Sequence, residues 1–234
     1  MYYQSLDQLQ KCKELAIELQ EYFLLGNFLQ FEKFIESQYI TRSIGDRALN
    51  LSHKSNDVLE HIRQTTFWSN KALELYDWYL KYGYIKDYEE KEEVSRYFYQ
   101  DMQDLDLHKA GFYERIYYHQ AYMWYAQDFQ NYYRHCLKFV HAFEEYPEMK
   151  RVNLAIYMKA VHNICNALFF LNSYDRFREY FEHFRQIKDL FEFRDSNIEG
   201  LYYLYYYLHR IDLYTMRGEF QKSWEWLPEL IEIV

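Results

Sequence analysis

With 234 residues the chain can bury a substantial core, and its formal charge of −9 with no basic run longer than two residues excludes a protein that tracks nucleic-acid phosphates. Only six Gly and two Pro, Pro147 and Pro228, punctuate it, so the composition points to helix nearly everywhere and away from strands and hairpins. The three cysteines, Cys12, Cys136 and Cys165, show no C-x-x-C spacing, which excludes a structural zinc site and reads as reduced thiols buried within helices.

Residues 5–24 set Leu6, Leu9, Leu15, Ile17, Leu19, Tyr22 and Phe23 at helical spacing. Gly26-Asn27 is expected to break that helix, with Phe28, Phe31, Phe34 and Ile35 on its partner. A second pair is expected from about 55 to 82, interrupted near 65–69. Residues 87–109 hold Glu89-Glu90-Lys91-Glu92-Glu93 and then Asp101, Asp104 and Asp106, and read as a solvated helix followed by an acidic loop. Three further pairs are expected: 112–126 with 128–145, 149–171 with 173–192, and 197–217 with 219–234.

The breaks inside those last three pairs read Gln127-Asp128-Phe129, Asn172-Ser173-Tyr174 and Gly218-Glu219-Phe220. From aromatic to aromatic the separations are 45 and 46 residues, a helix-pair period. Leu25-Gly26-Asn27-Phe28 reads as a fourth copy. The expected fold is all-α, a single helical-repeat domain over 1–234 of about five helix pairs, less regular over 1–110 and regular over 111–234. The 28 tyrosines suit such an array, because a large ring with a polar tip can line a half-wet groove as well as a seam between helices.

Several chemistries are missing. Every Gly is isolated, so no G-x-G-x-x-G or Walker-type phosphate loop can form. No His is followed by Glu and no Glu stands three residues before a His, which removes the H-E-x-x-H zinc motif and the di-iron carboxylate signature. Asp101, Asp104 and Asp106 loosely resemble the aspartate-rich motif of all-helical terpene synthases, which would make a magnesium-dependent diphosphate-processing enzyme the alternative. The expectation is no enzyme, no cofactor and no metal. No apolar stretch reaches the length of a membrane span, and Met1-Tyr2-Tyr3-Gln4 lacks a basic n-region, so the expected compartment is the cytoplasm.

The aromatic after each break, Phe28, Phe129, Tyr174 and Phe220, together with Gly218-Glu219-Phe220 and Pro147, resembles the tetratricopeptide-like superfamily of helix–turn–helix repeats. The period here is longer than that family's usual ~34 residues. The resemblance implies a right-handed superhelix of antiparallel helix pairs, an α-solenoid whose first helices line a concave groove. Counting back from each break at helical spacing, that groove would be lined by Tyr117, Ala121 and Trp124, then Lys159, His162, Asn163 and Asn166, then Tyr205, His209 and Asp212. Leu201, Leu204, Leu208 and Ile211 would form the buried seam opposite. The implied function is a non-catalytic module that binds a peptide or protein partner, with Asn163 and Asn166 bonding its backbone. A structural or self-assembling scaffold is the other noncatalytic alternative, with a homodimer contact through the apolar C-terminal helix.

Overall fold

The structure, a computed structural model, describes residues 2–38, 46–83, 88–100, 102–126, 128–190 and 195–233. Among these residues there is no strand; the elements are α1 (Tyr2–Glu18), α2 (Tyr22–Gln38), α3 (Arg47–Tyr82), α4 (Tyr88–Tyr99), α5 (Phe112–Tyr125), α6 (Phe129–Glu145), α7 (Met149–Val152), α8 (Leu154–Phe170), α9 (Tyr174–Leu190), α10 (Ser196–Met216), α11 (Phe220–Glu225) and α12 (Leu227–Ile233). The fold is all-α, consistent with a helical-repeat type of architecture. It divides into two compact units, Met1–Glu74 with Asp101–Tyr118, and Leu75–Gln100 with His119–Val234.

The three C-terminal breaks lie where the sequence puts them, and each has a local cause. Asp128 caps α6, its Oδ1 accepting the Asn131 N–H at 2.7 Å; Gln127 falls outside the described residues. Between α8 and α9, Asn172 takes φ 51°, a left-handed conformation that Asn tolerates. Gly218 takes φ 71° between α10 and α11, where a residue without Cβ is favoured.

The N-terminal half departs from the expected pairs at two places. The break near 65–69 does not exist, and α3 runs unbroken for 36 residues. No Gly or Pro interrupts it, and the polar side chains there turn back onto their own helix: Thr66 Oγ1 donates to the Ile62 carbonyl at 2.8 Å and Ser69 Oγ to the Thr66 carbonyl at 3.0 Å. Gly26 does not stop a helix either. It lies inside α2, and the turn comes earlier, at Leu19–Glu21, where Gln20 takes φ 55°. Gly26 serves close packing instead, since a Cβ there would lie 3.1 Å from Ile62 Cδ1.

In the first unit, α1, α2 and the N-terminal part of α3 enclose Ala16, Leu25, Leu29, Leu51 and Val58, with Tyr22, Phe28 and Ile62 against them. Buried charge is paired there: Glu32 takes Lys13 and Arg47, and Arg47 also reaches Glu36 at 3.3 Å. Glu114, 2% exposed, accepts the Gly111 N–H and bonds His61 Nδ1 at 2.9 Å. His61 stacks on Tyr22 at 4.1 Å, and the Glu114 hydrogen bond raises its pKa above the ordinary histidine value. Gly111 meets the same Tyr22 ring, where an added Cβ would come within 2.7 Å of Cε2. Because stacking on His61 keeps that ring from yielding, Gly111→Ala is expected to cost about 1–3 kcal/mol, read as a lowered Tm.

The second unit is built around α8, which packs against α6, α9 and α10. Its apolar residues Met158, Ala160, Val161, Ile164, Cys165 and Ala167 are wholly buried, as are Phe143 on α6 and Phe177, Phe184 and Ile187 on α9. At ~25 cal/mol per Å² of apolar surface, such rings and branched chains supply about 2–3 kcal/mol each, which makes α8 the mainstay of this core. The acidic α4 is solvated on one face only, since Val94 and Phe98 are buried on the other and Phe98 stacks on Tyr125 at 4.1 Å. Cys136 and Cys165 are buried thiols, whereas Cys12 is exposed, contrary to expectation.

Candidate binding site

One stripe of α8 meets open space as well as its neighbours. Lys159, His162, Asn163, Asn166 and Phe170 follow one another at steps of one, three and four, and line a cavity of about 590 Å³ within the second unit. The C-terminal turns of α3 contribute Tyr76, Trp78 and Tyr79, α5 contributes Met123 and Trp124, α6 contributes Phe129 and Tyr132, and α10 contributes Tyr205. The rings hold one another in place. Trp124 lies 4.8 Å from Tyr76 and 5.3 Å from Tyr79, and Phe129 stacks on Phe170 at 4.5 Å.

Besides the Tyr and Trp rings and Asp128, the polar groups of the lining, Lys159, His162, Asn163 and Asn166, come from α8. Asn163 is only 9% exposed, yet among the described residues its amide makes no hydrogen bond. A donor and an acceptor are thus left for whatever enters the cavity. Lys159 has no acidic partner among the described residues, and burial lowers its pKa.

Asn166 and His162 begin a hydrogen-bonded chain that leads away from the cavity. Asn166 Nδ2 lies 3.0 Å from His162 Nε2, His162 Nδ1 lies 2.8 Å from His209 Nε2, and His209 Nδ1 lies 3.3 Å from Asp212 Oδ2. Tyr205 stacks on His162 at 3.9 Å with 12° between planes. Phe177, Phe181 and Phe184 surround His209, which is fully buried. Burial pushes His209 down to about 3 and Asp212 up to about 7, and burial followed by the nearness of His209 and Lys159 holds His162 well below the ordinary histidine range.

Six of the ten residues expected to line a groove therefore surround one cavity, Trp124, Lys159, His162, Asn163, Asn166 and Tyr205, while Ala121 is wholly buried and does not line it. His209 and Asp212 do not line it and lie behind His162. On α10 the fully buried positions are Tyr202 and His209, while Leu201, Leu204, Leu208 and Ile211 are half-buried, so the expected seam and the expected groove face are partly exchanged. Tyr117 belongs to the first unit and is not among the cavity residues. Sequence reading missed Tyr76, Trp78, Tyr79, Phe129, Tyr132 and Phe170. Phe129 opens the second helix of its pair, whereas the expected groove residues all lie on first helices.

No family model, curated protein or solved structure matches this chain. The site must therefore be read from its own residues. Of the acidic cluster considered above, Asp101 lies outside the described residues, and Asp106 accepts the His108 N–H and pairs with Lys109 at 3.7 Å. Among the described residues no group of three His, Cys, Asp or Glu is placed to hold a metal ion. Among them, too, no helix is long and apolar enough to cross a membrane.

Proposed function

We propose that the chain is a non-catalytic binding module, acting in the cytoplasm, that takes a peptide segment of a partner protein into the α8 cavity. The observation that carries this reading is Asn163, a residue nine-tenths buried whose amide is unpaired by the described protein and set in an aromatic wall. The Asn163 amide opens to the cavity, and a peptide bond offers the complementary carbonyl and N–H in one rigid plane. The rings around it supply contact area at small entropic cost. A catalytic reading has less support: the His162 nitrogen that could take a substrate proton is held by Asn166, and among the described residues no Ser, Thr or Cys lines the cavity. The repeat reading belongs to the same proposal, with the helix pairs following one another as a right-handed superhelix.

Panning a random peptide library on the full chain tests this. Enriched peptides are expected to lose about ten-fold in affinity for Asn163→Ala, the value of one or two hydrogen bonds, with helicity unchanged. No enrichment, or wild-type affinity retained in Asn163→Ala, would remove the assignment.

A second reading, self-association through the C-terminal helices, has one observation in its favour. Phe220, Trp224 and Ile231 stand about two-thirds exposed or more on α11 and α12. A mass that rises with concentration and falls to that of the monomer in Trp224→Glu would support it.

A further inference from the structure

The chain from Asn166 to Asp212 is costly to keep, since it threads three neutralisable groups and an amide through a core of phenylalanines. Its hydrogen-bond directions can be satisfied in two ways. With Asp212 ionised, its carboxylate accepts His209 Nδ1–H, His209 Nε2 accepts His162 Nδ1–H, and His162 Nε2 accepts Asn166 Nδ2–H. That arrangement matches the amide orientation in the structure, and Asn166 Oδ1 then has no protein donor among the described residues. With Asp212 protonated, Oδ2–H donates to His209 Nδ1, each imidazole carries its proton on Nε2, and the Asn166 amide must turn so that Oδ1 accepts from His162 and the NH2 is freed.

We propose that Asp212 and His209, neither of which lines the cavity, determine the hydrogen-bond polarity that the cavity offers: an acceptor at Asn166 when Asp212 is ionised, selecting a ligand N–H, and a donor when it is protonated, selecting a ligand carbonyl. The inference rests on the cavity being the binding site. One proton is taken up in all: it enters at His162 Nε2 from the cavity as the Asn166 amide turns, the His162 Nδ1 proton passes to His209 Nε2 and the His209 Nδ1 proton passes to Asp212 Oδ2, so both rings end neutral.

The surroundings leave Asp212 as the member that titrates. Burial alone raises its pKa, to about 7, while both histidines are held neutral well below that. From α8 the facing titratable groups are His162, Lys159 and Cys165, the last raised first by burial and then by the Asp212 charge. From α9 the rings of Phe177, Phe181 and Phe184 meet His209. From α11, Ser223 bonds the Ile211 carbonyl and Thr215, and from α12 Glu229 acts on Tyr207 rather than on Asp212. On α10 itself, Tyr205 stacks on His162 and Arg210 lies over Trp226 at 3.7 Å.

The test needs no ligand, so its failure is separable from failure of the peptide assay. Long-range 1H–15N spectra of the uniformly labelled full chain at pH 5.5 and 8.5 report which nitrogen of each histidine is protonated. The expected result is Nδ1–H on His162 and His209 at pH 8.5 and Nε2–H on both at pH 5.5, with a matching change in the Asn166 side-chain resonances. In Asp212→Asn the new amide NH2 donates to His209 Nδ1, so the Nε2–H pattern is expected at both pH values. Tautomers that stay fixed in the wild type, an imidazolium at either ring across this range, or switching that persists in Asp212→Asn would each overturn the proposal.

Discussion

Replacing His209 by Leu is expected to cost about 3 kcal/mol of stability at pH 8.5 and close to nothing at pH 5. At the higher pH the substitution strips the Asp212 carboxylate of its His209 donor in a site where its side chain is 15% exposed, and leaves His162 Nδ1 without that partner in the same core. A buried group left unmet costs about 1–3 kcal/mol, and a charged one more. At pH 5 Asp212 is protonated, so only neutral hydrogen bonds are lost. His209 also carries a penalty of its own in acid, because its folded pKa, about 3, lies below its ordinary 6.5. The unfolded chain then binds the proton that the folded chain refuses, and the wild type loses stability as pH falls below 6.5. Leu has no such penalty, worth about 2 kcal/mol at pH 5, which offsets the lost bonds. Urea denaturation at the two pH values measures the difference, and an equal loss at both would contradict it.

Asp212→Asn is expected to act in the opposite direction. The folded pKa of Asp212, about 7, lies above its ordinary 3.8, so its contribution is fully present below pH 3.8 and is lost as pH rises through 7. Asn does not titrate. The stability of the variant relative to the wild type should therefore grow between pH 4 and 7 and level off above. At ~1.36 kcal/mol per unit the ceiling is about 4 kcal/mol, and relaxation around the partly accessible carboxylate should bring it to about 2. A difference that shrinks with rising pH would mean that Asp212 is ionised and stabilised in the fold.

The polar stripe of α8 was legible in the sequence because two nearby signals fix it. The Asn172 turn sets where the helix ends, and a rigid 3.6-residue period then places Asn166, Asn163, His162 and Lys159 on one side. On α10 the same count names His209 and Asp212 but cannot say which way that stripe faces. Tyr and Leu stripes both run along the helix, and the choice between them is made by Phe177, Phe181 and Phe184 on another helix. The aromatic roof over the site was invisible for a related reason. Tyr76, Trp78 and Tyr79 reach the cavity only through tertiary packing, and they sit on a helix that was expected to be two. Gly26 misled because glycine serves both as a stop and as a place of close approach, and only the nearness of Ile62 distinguishes the two uses.

The most direct measurement is a set of intermolecular NOEs between a peptide enriched on the full chain and the side-chain amides of labelled protein. Binding in the α8 cavity predicts contacts from the peptide backbone N–H and Cα–H protons to the Asn163 and Asn166 amides and to the Trp124 and Tyr205 rings. Contacts to Phe220, Trp224 or Ile231 with none to Asn163 would place the peptide on the exposed C-terminal helices and contradict the account.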